Sequence, residues 1–139
     1  MSAVKEIHVA SYNIHKGLSH FNRRLTIHEM RDKLHSLDVD LAFLQEVQGL
    51  HEGRAERFPH WPEKPQLEFL ADTLWTDFAY GKNAVYDEGH HGNAILSRYP
   101  ILKWENLDIS SHFMESRGML HCEIHPVGWR EPLHCINVH

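Results

Sequence analysis

Residues 38–49, with the sequence DVDLAFLQEVQG, decide how the rest of the chain is interpreted. The short run at 39–44 is apolar apart from Asp40, which is typical of a buried strand. An acidic residue, Glu46, follows this run. Because α/β folds place ligand chemistry beyond the carboxyl ends of buried strands, Glu46 is the first candidate functional residue. A solvated turn is the alternative, since most glutamates in proteins are exposed.

The residues before this stretch predict a strand and a helix. Alternating apolar and polar side chains indicate a strand that ends near Asn13. Further along, Thr26 and Glu29 fit a capping box at a helix start. Apolar residues then recur every three or four positions through residue 37, so one face of this helix should pack on a sheet. Strand, helix and strand form a βαβ-like unit, although the pattern alone leaves a parallel order unproved.

The residues after this stretch predict a second helix and several strands. A polar, proline-rich loop is expected at 51–65 and a helix at 66–75. Strands are predicted at 78–86, 93–97, 101–107, 118–125 and 133–139, the last two as a hairpin. The fold class is therefore α/β (α+β), with one mixed sheet and helices on one face. The other face of that sheet would lack a cover.

Length and composition limit the possible classes of protein. With 139 residues we expect a single domain. The net charge of -5 argues against a protein that holds nucleic acid mainly through a basic surface, although divalent cations could still attract a phosphate. The N-terminus has no long apolar segment, which predicts neither a signal peptide nor a transmembrane helix and favours the cytoplasm.

Histidine is abundant in this chain, and cysteine is rare. The chain has 14 histidines, but they are scattered, without a Cys-x-x-Cys or His-Glu-x-x-His motif, so the pattern disfavours structural zinc. Cys122 and Cys135 fall on the last two predicted strands and would lie opposite each other in a hairpin. A disulfide is conceivable, but two reduced, buried thiols are preferred.

Five short motifs taken together resemble one known family. They are SYNI at 11–14, LQEV at 44–47, GNAILS at 92–97, ESRG at 115–118 and NVH at 137–139. In this order and spacing they resemble the endonuclease/exonuclease/phosphatase family. That family comprises metal-dependent phosphodiesterases and phosphatases and includes deoxyribonuclease I and exonuclease III. The resemblance runs from about residue 9 to residue 139.

The resemblance implies a role for each matching residue. Glu46 matches a metal-binding glutamate, and a carboxylate suits Mg²⁺ or Mn²⁺. Asn13 matches a catalytic asparagine beside that metal, as a ligand or as a donor to the metal site. Arg117 matches an arginine that contacts the substrate phosphate. His139 matches a catalytic histidine that hydrogen-bonds the scissile phosphate, and Asn93 lies in a segment similar to the substrate-binding edge.

Several of these residues have a simpler explanation. Asn13 could turn the chain after a strand, which is a common use of asparagine. Arg117 could form a weak surface ion pair with Glu115. His139 could be a frayed terminal residue.

The family fold implied by the resemblance is a four-layer sandwich built from two similar halves. In the family the second half supplies an Asp-x-Asn pair, a late aspartate and an Asp-His pair. The sequence stops at His139, so residues 1–139 are expected to be the N-terminal part of one truncated domain with half an active site. Alone, the chain should bind Mg²⁺ weakly and turn over little substrate.

Partners and substrate follow from the same expectation. A half sandwich would expose an apolar sheet face, which favours self-association or a covering partner. In its complete form the protein would hydrolyse a phosphoester, with nucleic acid among the candidates, and the sequence does not name the substrate. The alternative function is a catalytically inactive half-domain that acts as an interaction module.

Overall fold

The computed structural model describes residues 2–14, 27–51, 66–71, 74–86, 89–111 and 117–139. These ranges contain two helices and seven strands. In chain order they are β1 (Val9–Asn13), α1 (Ile27–Leu37), β2 (Leu41–His51), α2 (Gln66–Ala71), β3 (Asp77–Tyr86), β4 (Gly89–Ser97), β5 (Ile101–Asp108), β6 (Gly118–Ile124) and β7 (Leu133–Val138). The predicted cap residue Thr26 lies outside the described residues, as does Glu115.

The first sheet has the strand order β1-β2-β4-β3. Strands β1 and β2 are parallel, and the other neighbours are antiparallel. The sequence pattern leaves the direction of β1 relative to β2 open, and the structure shows a parallel βαβ unit. Two strands are longer than expected, because β2 continues to His51 and β4 begins at Gly89 instead of at residue 93.

Both helices pack on one face of this sheet, as the apolar spacing predicts. Met30 and Leu34 of α1 are buried against β2 and β4 in a cluster that also includes Leu70 of α2. Trp75 closes one side of the cluster, and its indole Nε1 donates a hydrogen bond to the carbonyl oxygen of Val39 at 3.1 Å. This layer fixes β2, the strand that carries Glu46, between the helices and the rest of the molecule.

The α+β class is confirmed, but the expected single sheet is corrected to two sheets. Strands β5, β6 and β7 form a separate antiparallel sheet. Every second residue of β6 is buried, and these side chains meet the face of the first sheet that the helices leave open. The contact joins Leu120 and Ile124 of β6 to Leu41 and Ile95 of the first sheet. The exposed face is therefore the outer face of the second sheet.

The expected hairpin of β6 and β7 is confirmed. Its turn contains Gly128, whose φ of 85° lies in the left-handed region that favours glycine. Within the described ranges, no helix has the length and apolar character needed to cross a membrane.

Cys122 and Cys135 are directly paired across this hairpin. The structure records both as buried free thiols on the face that packs against the first sheet. Burial raises the pKa of Cys122 to about 12, with a smaller contribution from Cys135. Burial also raises the pKa of Cys135 to about 11. Both thiols therefore stay protonated at neutral pH, which keeps charge out of the space between the sheets.

We expect Cys122 and Cys135 to resist iodoacetamide at pH 8, because the thiolate is the reactive form and burial disfavours it. Mass spectrometry compares the extent to which the two thiols are alkylated in native protein and in protein unfolded in urea. Above about pH 8.5, where exposed thiols begin to ionise, the folded state binds more protons than the unfolded state. The free energy of unfolding should then fall as the pH rises toward the folded pKa values. Equal alkylation rates in native and unfolded protein would contradict the expected protection of the two thiols.

Candidate functional site

Glu46 lies in a β-bulge of β2. The pairing of β2 with β4 is regular as far as Leu44 and Ala94, then shifts, and resumes at Val47. Regular alternation from Leu44 would place Glu46 in the apolar cluster beneath the helices. Because of the extra residue, the fully buried Val47 occupies that position in the apolar cluster, and Glu46 is only half-buried. The bulge therefore spares the carboxylate the cost of burial in an apolar core.

The backbone of Glu46 is strained by this arrangement. Its φ is 53°, in the left-handed region that non-glycine residues adopt at a cost of about 1–2 kcal/mol. Strain of this kind persists only where the surrounding structure holds it, and such residues cluster at functional sites.

Asn13 and His139 lie at the same edge of the molecule as Glu46. In the parallel ladder Asn13 pairs with Gln45, the residue before Glu46. The amide Nδ2 of Asn13 donates a hydrogen bond to Nε2 of His139 at 3.1 Å. Nε2 is then the acceptor, so the neutral ring carries its proton on Nδ1. The structure thus brings three of the predicted residues together from β1, β2 and the end of β7.

Arg117 precedes β6 at the end of the second sheet where His139 follows β7. Met119 pairs with Val138, and extending that register sets Gly118 opposite His139. The backbone N–H of Arg117 donates to Oγ of Ser110 at 2.9 Å, which fixes the chain at this point. Arg117 is exposed to solvent.

Asn93 is placed differently from the other candidates. Its side chain is 1% exposed, and Nδ2 donates to the carbonyl oxygens of Gly118 at 3.3 Å and Asn137 at 3.4 Å. Asn93 therefore lies beneath the edge that carries the other candidates, where it ties β4 to β6 and β7.

Sequence reasoning assigned no role to Asn137, which is 2% exposed on β7. Its Nδ2 donates to the carbonyl oxygens of Leu44 at 2.9 Å and Ala94 at 2.8 Å. Its Oδ1 accepts a hydrogen bond from Nε2 of Gln45 at 2.7 Å. One signal was available in the sequence, because Asn137 occupies an inward position of β7, two residues after buried Cys135. A polar residue at such a position calls for hydrogen-bond partners.

A second polar cluster occupies the outer face of the second sheet. His121 and His134 are joined by a ring-to-ring hydrogen bond of 2.9 Å between Nε2 and Nδ1. His121 also contacts Glu105 at 3.3 Å, and His134 contacts Glu123 at 3.7 Å. Across the part of the chain that the structure describes, no three His, Cys, Asp or Glu side chains are arranged to hold a metal ion.

Comparison with known proteins decides the family. The model of the endonuclease/exonuclease/phosphatase family matches residues 10–132. The chain belongs to this family. The resemblance seen in the five motifs is thereby confirmed, and members of the family generally use divalent metals.

Individual relatives agree with the family assignment. The uncharacterized protein YbhP of Escherichia coli K12 is 50% identical over 131 residues, which are 94% of this chain and 52% of that protein. A family protein from Beutenbergia cavernae has a similar fold, with a TM-score of 0.75 at 16% identity over 96% of this chain and 38% of its own. ANGEL2, described as a 2',3'-cyclic phosphatase, has a TM-score of 0.61 at 20% identity, over 96% of this chain and 41% of its own. The chain spans about half the length of the curated relatives it matches.

We expect the Nδ1–H tautomer of His139 to dominate when the ring is neutral, because Asn13 donates to Nε2. Long-range ¹H–¹⁵N correlation spectra at pH 8.5 identify the protonated nitrogen. His125 is an internal reference for the Nε2–H tautomer, since its Nε2 donates to the carbonyl oxygen of Trp129 at 2.7 Å. Asn13→Ala should shift His139 toward the Nε2–H form and leave His125 unchanged. A wild-type His139 already in the Nε2–H form would contradict the arrangement.

Proposed function

We propose that this chain supplies the metal carboxylate and part of the phosphate-binding side of a divalent-metal-dependent phosphohydrolase. One observation carries the proposal: the bulge in β2 withdraws Glu46 from the core next to the hydrogen-bonded pair Asn13 and His139. A carboxylate, an amide and an imidazole at one edge form a set that can hold a hard cation and a phosphate. That residues 1–139 are the N-terminal part of one larger domain belongs to the same proposal.

The residues fit a hard divalent metal. Glu46 offers carboxylate oxygens, and Asn13 offers an amide oxygen while its Nδ2 donates to His139. Mg²⁺ in enzymes is commonly held by one or two carboxylates together with water and substrate phosphate, so a site with few protein ligands suits it. Mn²⁺ accepts the same oxygen ligands. When bound, the metal would polarise a phosphoryl oxygen and lower the pKa of a bound water.

His139 and Arg117 would act on the phosphate. With Nε2 accepting from Asn13, Nδ1–H is the donor that the ring has for a non-bridging phosphate oxygen. The guanidinium of Arg117 would add a positive charge and planar donors at the same edge. Both contacts become stronger as charge builds up on the phosphate during in-line attack by water, which is how such groups accelerate hydrolysis.

The substrate class is a phosphoester. The family assignment supports this class, and one structural relative is described as acting on a 2',3'-cyclic phosphate. Nucleic acid, phosphoinositides and other phosphoesters remain open, and the net charge of -5 makes a tight, non-specific DNA binder the least favoured. The cytoplasmic location that the N-terminal sequence predicts stays a prediction.

Glu46→Gln should weaken Mn²⁺ binding by at least about 10-fold, because the amide keeps the shape of the side chain but loses the charge that a hard cation needs. Isothermal titration of the 139-residue chain measures the change. Glu131→Gln is the matched control, since Glu131 is exposed in the turn between β6 and β7, away from the site.

Equal Mn²⁺ affinity in the wild type and in Glu46→Gln would contradict the assignment of the metal ligand.

The chain alone should hydrolyse bis-p-nitrophenyl phosphate negligibly, because in-line attack needs water-positioning groups in addition to the metal. Robust turnover that Glu46→Ala abolishes would overturn that expectation while supporting the metal site.

An interaction module is the second candidate function, and the outer face of the second sheet favours it. The register sets Leu107, Met119 and Val138 in one row across β5, β6 and β7, with Leu107 and Val138 exposed and Ile136 beside them. Such a row favours self-association or a partner that covers it. Light scattering tests this, and a monodisperse monomer at high concentration would count against it.

A further inference from the structure

We propose that Asn137 is a positioning residue for Glu46: it holds open the bulge in β2 that brings the carboxylate out of the core. This proposal rests on the proposed function, because positioning Glu46 matters only if Glu46 binds metal. Neither the family match nor the sequence motifs assign this task to Asn137. The hydrogen bonds of its amide lie at the point where the pairing of β2 with β4 shifts.

The amide of Asn137 contacts β2 and β4 at the point where their pairing changes. Leu44 and Ala94 form the last regular pair before the shift, and the two hydrogens on Nδ2 go to their two carbonyl oxygens. At 2.9 and 2.8 Å both contacts have ordinary hydrogen-bond lengths. A bulge interrupts the regular ladder, so a side chain that supplies donors there compensates for the interruption.

The orientation of the Asn137 amide is itself fixed. Its Oδ1 accepts from Gln45 at 2.7 Å, and the same amide group of Gln45 donates to Oγ of Ser11 on β1 at 3.4 Å. The backbone carbonyl of Asn137 accepts from Asn93 at 3.4 Å, which anchors β7 to β4. The network therefore joins β1, β2 and β4 of the first sheet to β7 of the second.

A purely packing role would not require an amide at this position. The inward residues of β7 before it, Leu133 and Cys135, are apolar and contribute to the contact between the sheets. A leucine in place of Asn137 would fill similar space without the penalty of burying a polar group. The amide is compatible with the interior because its donors and its oxygen are paired, and its pairs all fall at the bulge. The position is thus suited to fixing the backbone beside Glu46.

The left-handed backbone of Glu46 gives this role a structural readout. At a φ of 53° the amide hydrogen and the α-hydrogen of Glu46 lie unusually close, which produces a strong intra-residue nuclear Overhauser effect. Removing the donors of Asn137 should let β2 relax toward regular pairing. Regular pairing would move Glu46 toward an extended backbone and weaken that signal.

The test compares Asn137→Leu with Cys135→Ala. Both alter a buried side chain on the inner face of β7, but only Asn137→Leu removes the hydrogen bonds at the bulge. We expect Asn137→Leu to weaken the Glu46 signal and to lower Mn²⁺ affinity by about 10-fold or more, the range seen when a partner that orients a metal ligand is lost. Cys135→Ala should lower thermal stability and leave both readouts unchanged.

The two readouts separate failure of this inference from failure of the proposed function. If Asn137→Leu keeps the wild-type signal at Glu46, or if Cys135→Ala weakens it equally, the positioning role is overturned. If wild-type protein binds no Mn²⁺, the proposed function fails and the signal at Glu46 still decides whether Asn137 holds the bulge. Should Asn137→Leu fail to fold, Gln45→Met decides by the same readouts, because it removes the donor that orients the amide.

Discussion

The bulge between Leu44 and Val47 is the feature on which the candidate site depends. A regular strand would alternate Glu46 into the apolar cluster beneath the helices, where an unpaired carboxylate is costly to bury. One extra residue resolves this conflict, because it returns the buried position to Val47. The cost is a left-handed backbone at Glu46, and that cost is the reason why the surrounding contacts matter.

Two sheets contribute to the site, and neither carries it alone. Parallel pairing of β1 and β2 brings Asn13 beside the bulge, whereas His139 and Arg117 come from the second sheet. Asn137 on β7 links the second sheet to the first, because its amide donates hydrogen bonds to β2 and β4 where their pairing shifts. The packing of Leu120 and Ile124 against the first sheet holds the second sheet in place, and with it the strand that carries Asn137.

Much of this arrangement could be predicted from the sequence. The apolar run before Glu46 identified a buried strand, and the spacing of Met30 and Leu34 identified the face of α1 that packs on it. The position of Cys122 opposite Cys135 followed from the hairpin. These features were predictable because each depends on the spacing of side chains along a single element: every second residue faces the same side of a strand, and every third or fourth the same side of a helix.

The sequence could not show which strands share a sheet. An alternating strand such as β6 has the same pattern whether it extends the first sheet or packs against it, so the second sheet was missed. The bulge was missed because nothing in the residues Gln45 and Glu46 marks an extra residue. The role proposed for Asn137 depends on hydrogen bonds to Leu44 and Ala94, which lie 93 and 43 positions away in the chain, and no local pattern records them.

Paramagnetic broadening by Mn²⁺ tests most directly whether a metal binds at the bulge. In ¹H–¹⁵N spectra of the wild-type chain, substoichiometric Mn²⁺ should broaden the amides of Asn13, Gln45, Glu46 and His139 first, and Glu46→Gln should abolish this selectivity. Broadening that begins at His121 and His134 on the outer face of the second sheet, or that spreads evenly over the chain, would contradict a metal site built on Glu46.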